Sequence, residues 1–141
     1  MSYHNLPIGN DFPKTVNAVI EIPKGSRNKY EYDESLDLIR LDRVLHSSVF
    51  YPADYGFIPQ TRSEDGDHMD IMTLVTEPVY PGCVVSVRPI GIADMTDDKG
   101  KDWKILGVAN DDPRYEKVHE LSDVDPHLLK EVRNFLKSTN N

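Results

Sequence analysis

The stretch from residue 64 to residue 70 constrains the fold more than any other part of the chain. It reads Glu64-Asp65-Gly66-Asp67-His68-Met69-Asp70 and places four acids in seven residues. Such a segment cannot enter a hydrophobic core, because its charges would lose their hydration while repelling one another. An apolar run from Ile71 to Val75 follows at once and predicts a strand. The acids are therefore predicted to lie on a turn anchored by a strand, an arrangement suited to binding a hard metal ion.

A metal site is one of three structures that the acidic turn could form. A solvated acidic loop is the commoner one when a pattern of three aspartates stands alone. An EF-hand loop needs ligands at alternate positions, then a glycine, and a glutamate near the end of the loop. Here Gly66 comes too early, Met69 occupies a ligand position and Thr76 stands where the glutamate belongs. The EF-hand is thus excluded, and the choice between a solvated loop and a metal site depends on the rest of the chain.

Length and charge narrow the class of protein. The 141 residues are predicted to form one domain, residues 1–141. The net charge of −8 argues against nucleic acid as a partner and suits a protein that collects divalent cations. Cys83 is the only cysteine, so no intramolecular disulfide forms and a reducing compartment is expected. The sequence has neither a membrane-length apolar run nor a signal-like N-terminus, so we expect a cytoplasmic protein without a membrane partner.

Residue patterns predict many short strands followed by one late helix. Residues 1–14 are predicted to form an irregular arm, and residues 49–59, rich in aromatic residues and proline, a structured loop. A second acidic loop spans residues 94–102. Asp125 is a predicted N-cap with Pro126 at the first helical position, so a C-terminal helix should cover residues 126–137. Strands are predicted at residues 16–22, 29–33, 36–44, 71–76, 83–92 and 103–108. This order indicates the α+β class, a small β-barrel with a helix packed on it.

Together these segments resemble the soluble family I inorganic pyrophosphatases. The acidic turn is similar to that family's signature, Asp-Gly-Asp-Pro-x-Asp followed by an apolar residue, and here it reads Asp65-Gly66-Asp67-His68-Met69-Asp70-Ile71. The agreement continues in order across about residues 16 to 136, and a single aspartate triad would be far weaker support. It includes segments 19–23, 29–31, 42–43, 51–56, 88–91 and 95–104. The resemblance implies an OB-like five-stranded β-barrel with one or two peripheral helices.

The resemblance also implies hydrolysis of inorganic diphosphate to two phosphates, with Mg²⁺ as cofactor and Mn²⁺ or Zn²⁺ as possible substitutes. Carried over by position, Asp67 would take a proton from the attacking water, and Tyr55 would hydrogen-bond near that nucleophile. The implied metal-site residues are Asp65, Asp70, Asp97, Asp102, Glu21 and Glu31, the two glutamates acting mainly through water. The implied substrate-binding residues are Lys29, Arg43 and Lys104. By analogy with bacterial relatives, a homo-oligomer, specifically a hexamer, is expected.

The chemistry of such a site is consistent with the residues themselves. Diphosphate is highly anionic, so its hydrolysis needs cations on the phosphoryl oxygens and a deprotonated water in line. Clustered carboxylates alone would repel this substrate, which makes the interleaved bases Lys29, Arg43, Arg88 and Lys104 necessary partners. The alternative for each base is an ordinary surface salt bridge, and for Arg88 the two are evenly balanced.

The chain departs from the family pattern in two places. His68 replaces the signature's proline, and we expect either an inert exposed side chain or a preference for a softer metal. Thr139 and Asn140 stand where the family carries a phosphate-binding Tyr-Lys pair, and weaker diphosphate binding is expected. Two alternative functions therefore stay open. One is a degenerate pyrophosphatase-like module that binds metal or phosphate esters with little turnover, and the other is a nucleic-acid binder, which the net charge disfavours.

Overall fold

The computed structural model describes residues 2–46 and 48–139, and these ranges contain a closed barrel, a separate hairpin and a C-terminal helix. Short 3₁₀ helices lie at Tyr3–Asn5, Pro113–Tyr115 and Leu121–Asp123. The main elements in chain order are β1 (Val16–Ile22), β2 (Asn28–Asp33), β3 (Leu38–Val44), β4 (Asp54–Ile58), β5 (Met69–Leu74), β6 (Val84–Asp94), β7 (Trp103–Ala109) and α1 (Pro126–Thr139). Within the described ranges, no helix is both long enough and apolar enough to span a bilayer.

The strand order of the barrel brings the two acidic loops together. The order is β1-β4-β5-β7-β6, and β6 closes the barrel by pairing with β1. Strands β5 and β7 run parallel, with Asp70 opposite Lys104, whereas their other neighbours run antiparallel. Because parallel strands begin at the same edge, the loops that precede β5 and β7 both lie at one end of the barrel. The hairpin of β2 and β3 forms a separate two-stranded sheet.

Three groups of apolar side chains hold these layers together. One group comes from barrel strands alone and includes Ile20, Ile58, Ile71 and Val87, so it fills the barrel. A second group joins the barrel wall to Val132, Phe135 and Leu136 of α1. A third joins Val19 and Phe57 to Tyr32 of the hairpin. Strand β1 contributes to all three groups, which explains why its sequence is almost continuously apolar rather than alternating.

The predicted strands and the late helix are present, but the prediction of a loop over residues 49–59 is wrong in its second half. Residues Asp54–Ile58 form β4, which pairs with both β1 and β5. Gly56 makes this pairing possible, because a Cβ atom there would lie 1.9 Å from the Val19 carbonyl oxygen. The glycine, prolines and aromatic residues that suggested a loop thus surround a strand whose close approach requires glycine. The segment 110–124 contains the second and third 3₁₀ helices.

Candidate active site

The ammonium group of Lys104 is the centre of a polar cluster at the acidic end of the barrel. Its Nζ atom lies 3.0 Å from Asp70 Oδ2, 3.1 Å from Tyr55 Oη and 3.4 Å from Asp102 Oδ1. The Lys104 side chain is only 13% exposed, so these contacts form largely out of bulk water. Strands β4, β5 and β7 are neighbours in the barrel, which is why residues distant in sequence meet here.

Glu21 is a buried acid beside this cluster. It lies near the end of β1, and its Oε2 atom accepts a hydrogen bond of 2.7 Å from the Tyr32 backbone N–H. The pKa of Glu21 is raised to about 8, chiefly by burial and in smaller part by the charges of Asp70 and Glu31, although the hydrogen bond opposes this rise. A cation bound next to this carboxyl group would lower its pKa, because the positive charge favours the ionised form.

The acidic turn between β4 and β5 is stabilised by its own hydrogen bonds. The Ser63 hydroxyl donates to Asp65 Oδ1 at 2.6 Å, and the Asp67 N–H donates to the same oxygen at 3.0 Å. These two donors lower the pKa of Asp65. The pKa of Asp67 is raised instead, by burial first and then by the charges of Asp65 and Asp70. Gly66 has a φ of 89°, the left-handed conformation that glycine adopts without strain.

The hairpin supplies basic side chains to two adjoining cavities. Lys29 on β2 pairs with Arg43 on β3, and both line a cavity of about 210 Å³ together with Tyr55, Asp70 and Lys104. A second cavity, also of about 210 Å³, shares Lys29, Tyr55 and Asp70 with the first. The acids that line this second cavity are Glu21, Glu31, Glu34, Asp67 and Asp70. The first is therefore called the basic cavity and the second the acidic cavity, and the two adjoin through the lining residues that they share.

Three of the acids expected to bind metal do not line these cavities, although Asp102 contacts Lys104 at the edge of one of them. Asp65, Asp97 and Asp102 line neither cavity, and Asp97 accepts a hydrogen bond of 2.8 Å from the Lys99 N–H within its own turn. In the ranges 2–46 and 48–139, no three His, Cys, Asp or Glu side chains are arranged so that they could hold a metal ion as they stand. The donor chemistry nevertheless fits a hard divalent cation, because carboxylate oxygens are the ligands that such ions prefer. Asp70 and Asp102 already converge on one positive charge, the Lys104 ammonium, which lies between them.

Two expectations about individual residues are corrected by the structure. Among the described residues, Arg88 is neither a substrate ligand nor part of a surface salt bridge. It donates to the Val118 carbonyl at 3.0 Å, to the Tyr115 carbonyl at 2.7 Å and to Asn110 Oδ1 at 2.8 Å, so it holds the segment after β7 in place.

His68 is not an exposed side chain, since it is 13% exposed and its ring lies 4.6 Å from that of Phe57. Burial and the charge of Arg62 lower the pKa of His68. Of the departing C-terminal pair, Thr139 ends α1 and Asn140 lies outside the described residues.

Sequence reasoning missed several residues that shape the site. Tyr51 lines the basic cavity and packs edge-on against Tyr55, with ring centres 5.6 Å apart. Ser63 could have been found, because a serine two residues before an aspartate in a turn often hydrogen-bonds to it. Glu34 carries no such signal, since its partners Arg62 and His68 lie far along the chain.

Comparison with known proteins identifies the family. A sequence model of the family described as inorganic pyrophosphatase matches residues 18–141. The chain belongs to the inorganic pyrophosphatase family. An inorganic pyrophosphatase from Nostoc sp. is 51% identical over 129 residues, which cover 92% of this chain and 76% of the relative. One from Methanosarcina mazei is 52% identical over 124 residues, covering 88% and 73% respectively.

Solved structures of inorganic pyrophosphatases share the fold. The crystal structure of inorganic pyrophosphatase from Thermus thermophilus superposes with a TM-score of 0.93 at 46% identity, covering 98% of this chain and 79% of that one. The OB-like five-stranded barrel expected from the sequence is confirmed, and so is the resemblance to this family. Nothing in these comparisons supports the degenerate binding module as an alternative.

Proposed function

We propose that the chain catalyses hydrolysis of inorganic diphosphate to two phosphates in a reaction that depends on divalent cations. Family membership supports the reaction, and the observation that carries the assignment to this site is the Lys104 cluster. There a signature aspartate, an aspartate of the second acidic loop and a tyrosine converge on one half-buried base. The adjoining acidic and basic cavities then offer separate places for cations and for phosphoryl oxygens.

We assign proton transfer to Asp67. Its carboxylate lines the acidic cavity, and its pKa is raised by burial and by Asp65 and Asp70. A raised pKa makes a carboxylate a better proton acceptor near neutral pH. In the proposed step the oxygen of water forms a bond to one phosphorus while Asp67 takes the water's proton. The bond from that phosphorus to the bridging oxygen breaks, and the second phosphate leaves with the electron pair.

The basic side chains are proposed to bind the substrate. Lys29, Arg43 and Lys104 line one cavity and would each donate to phosphoryl oxygens, which holds the substrate and offsets charge on the leaving phosphate. Tyr55 accepts a hydrogen bond from Lys104 and is also hydrogen-bonded to Asp70, so its hydroxyl proton becomes available to the nucleophile or to a phosphoryl oxygen once a cation takes up the Asp70 carboxylate. Lys29 lies 3.5 Å from Asp42, and this exposed pair can open at low cost.

The carboxylates are proposed to hold divalent cations, with Mg²⁺ as the expected ion. The residues assigned are Asp65, Asp70, Asp97, Asp102, Glu21 and Glu31, and the last two would act through water. Such cations, when bound, lower the pKa of water and neutralise phosphoryl oxygens. Because no three of these acids are arranged to hold a metal ion within residues 2–46 and 48–139, cation binding is expected to bring the two acidic loops closer together. A homo-oligomer, a hexamer by analogy, and a cytoplasmic location stay predictions.

One assay tests the proposed function. Phosphate release from diphosphate should be fast with Mg²⁺ and should disappear when a chelator removes it. A phosphate monoester serves as the control substrate, because it has no anhydride bond to break. Absence of release from diphosphate at saturating Mg²⁺ would refute the assignment.

A further inference from the structure

We propose that Glu34 and His68 are positioning residues that fix the acidic turn against the β2–β3 hairpin. Together with Arg62 their side chains form what we call the Glu34 latch. The proposal rests on the proposed function, because it concerns where the assigned acids and bases of that site lie relative to one another. It adds Glu34, which lies outside the signature, and His68, which replaces the signature's proline, and neither belongs to the metal-site assignment.

The acidic turn behaves as one unit. The Ser63 N–H donates to the Asp67 carbonyl at 2.8 Å, and the Gly66 N–H donates to the Ser63 carbonyl at 3.0 Å. These bonds close residues 63–67 into a loop, and two residues beyond it the Met69 N–H donates to Thr61 Oγ1 at 3.0 Å. A loop closed by these bonds moves as a body, so whatever holds its two flanks also sets the positions of the acids within it.

The residues on either side of the 63–67 loop lie beside the same carboxylate. On one side Arg62 Nη2 donates to Glu34 Oε1 at 3.0 Å, and on the other His68 Nδ1 lies 3.7 Å from that oxygen. The His68 ring also packs on Phe57 of β4, with centres 4.6 Å apart, and lies 6.3 Å from the ring of Tyr32. The turn is thereby attached to the barrel wall through His68 and to the hairpin through Glu34.

Glu34 in turn belongs to the hairpin that carries the substrate-binding bases. It follows β2 directly, and β2 contains Lys29 and Glu31. The backbone carbonyl of Glu34 lies 2.9 Å from His4 Nε2, so the N-terminal arm holds it in place from the other side. The distance between the acids of the turn and the bases of the hairpin therefore depends on the latch.

The exposure of the latch argues for a positioning role rather than a large effect on stability. The side chains of Glu34 and Arg62 are 38% and 54% exposed, and exposed ion pairs of this kind contribute about 1 kcal/mol or less to folding. Residues that orient metal ligands from outside have larger effects, typically about 10- to 100-fold in metal affinity or activity. A latch can thus matter to the site while contributing little to the melting temperature.

The test uses the full chain with Glu34→Ala and His68→Ala as latch variants. Arg40→Ala is the matched control, because it breaks the exposed Arg40–Asp33 pair of 3.6 Å on the same hairpin without touching the turn. Amide hydrogen exchange of residues 63–69 without metal reports turn mobility, and calorimetry with Mn²⁺ without diphosphate reports cation affinity. We expect faster exchange and about tenfold weaker Mn²⁺ binding in both latch variants, and neither in Arg40→Ala.

Conservative variants separate positioning from folding. Glu34→Gln keeps an acceptor for Arg62 and should restore most of the Mn²⁺ affinity, whereas His68→Phe keeps the ring packing and should protect the fold if His68→Ala fails to fold. In turnover, the latch variants should change KM for diphosphate and kcat together, because both halves of the site shift. Unchanged exchange at residues 63–69 in Glu34→Ala would overturn the latch even if wild-type protein bound no cation. Absence of cation binding by the wild type would instead count against the proposed function.

Discussion

Asp70 and Lys104 lie opposite each other on the parallel strands β5 and β7, with their charged atoms 3.0 Å apart. The pairing is a consequence of topology, because parallel strands place the ends of the two acidic loops side by side. In this position the ammonium offsets the charge of Asp70 and contacts Asp102 as well. The same group is available to a phosphoryl oxygen once a divalent cation takes over its carboxylate partners.

The first prediction concerns Lys104→Met, which removes the charge but keeps an unbranched chain. Loss of one charge-assisted hydrogen bond to substrate costs roughly 1.5–3 kcal/mol, so kcat/KM for diphosphate should fall about 10- to 150-fold. The melting temperature in chelator should also fall, because Asp70 and Asp102 lose their shared cation. Added Mg²⁺ should recover more stability in the variant than in the wild type.

Lys101→Met is the control for this change. Lys101 lies just before β7, 4.0 Å from Glu64, and its side chain is 60% exposed. Its removal should leave kcat/KM nearly unchanged. Equal losses in the Lys101 and Lys104 variants would mean that general charge, rather than contact with substrate, explains the effect.

The second prediction concerns the pH dependence of stability and rests on Glu21. Its folded-state pKa is about 8, against an ordinary value of 4.5, so the folded protein keeps a proton that the unfolded chain releases. Its contribution to stability is therefore complete below pH 4.5 and is lost as pH rises toward 8. The slope is at most about 1.4 kcal/mol per pH unit. Denaturant unfolding in chelator should show falling stability across this window.

Glu21→Gln isolates that contribution. The amide is neutral at every pH and can still accept from the Tyr32 N–H, so the packing should survive. Other groups that titrate between these limits act in both proteins, and the difference between the two stability curves reports Glu21 alone. The variant should show a flatter curve and greater stability near pH 8. Parallel curves would mean that Glu21 is not held neutral by the fold.

The sequence carried enough information for most of the strands and for the chemistry of the turn. Strand β1 could be predicted because its apolar run is long, and the turn could be predicted because four acids within residues 64–70 cannot enter a core. Strand β4 could not, since its Pro, Gly and aromatic residues indicate a loop unless the close approach of Val19 to Gly56 is known. The composition of a segment indicates only its local preferences, whereas β4 forms because it pairs with β1 and β5.

Site residues also differ in whether the local sequence could predict their surroundings. Asp67 and Asp70 lie within a local motif, and their neighbourhood could be predicted. The burial of His68 could not, because it depends on Phe57 and Tyr32 from two other strands. The charge of Arg88 suited a substrate ligand as well as a salt bridge, and only the folded segment 110–118 shows that carbonyl groups take up its donors.

The third prediction is that divalent cations stabilise the fold. They should bind only when both acidic loops, residues 65–70 and 97–102, are in place, so they favour the folded state by mass action. At about 100-fold excess over Kd the gain is about 2.7 kcal/mol, which calorimetric melting detects readily. Asp70→Asn should abolish most of the gain, and a monovalent salt at equal ionic strength should not reproduce it. Identical melting temperatures in chelator and in millimolar Mg²⁺ or Mn²⁺ would count against a shared site.

The fourth prediction separates the two assigned roles within the acidic turn. Asp67→Asn should lower kcat by about 10²-fold or more while leaving cation affinity largely intact, because an amide cannot take the proton of the attacking water. Asp70→Asn should first weaken cation binding, since Asp70 lines both cavities and is a carboxylate that contacts Lys104. Calorimetric Mn²⁺ titration and steady-state kinetics on the same preparations give both quantities.

The pH profile supplies the control for Asp67. If its carboxylate is the base, the acid limb of kcat against pH should disappear in Asp67→Asn, and the residual rate should rise with hydroxide concentration. Both variants remove one negative charge from the same turn, so a general electrostatic effect would change them alike. Equal loss of cation affinity in Asp67→Asn and Asp70→Asn would place Asp67 among the ligands and leave the proton to another group. A preserved acid limb in Asp67→Asn would do the same, and Glu21, which lines the acidic cavity with a pKa of about 8, would then be the next acceptor to test.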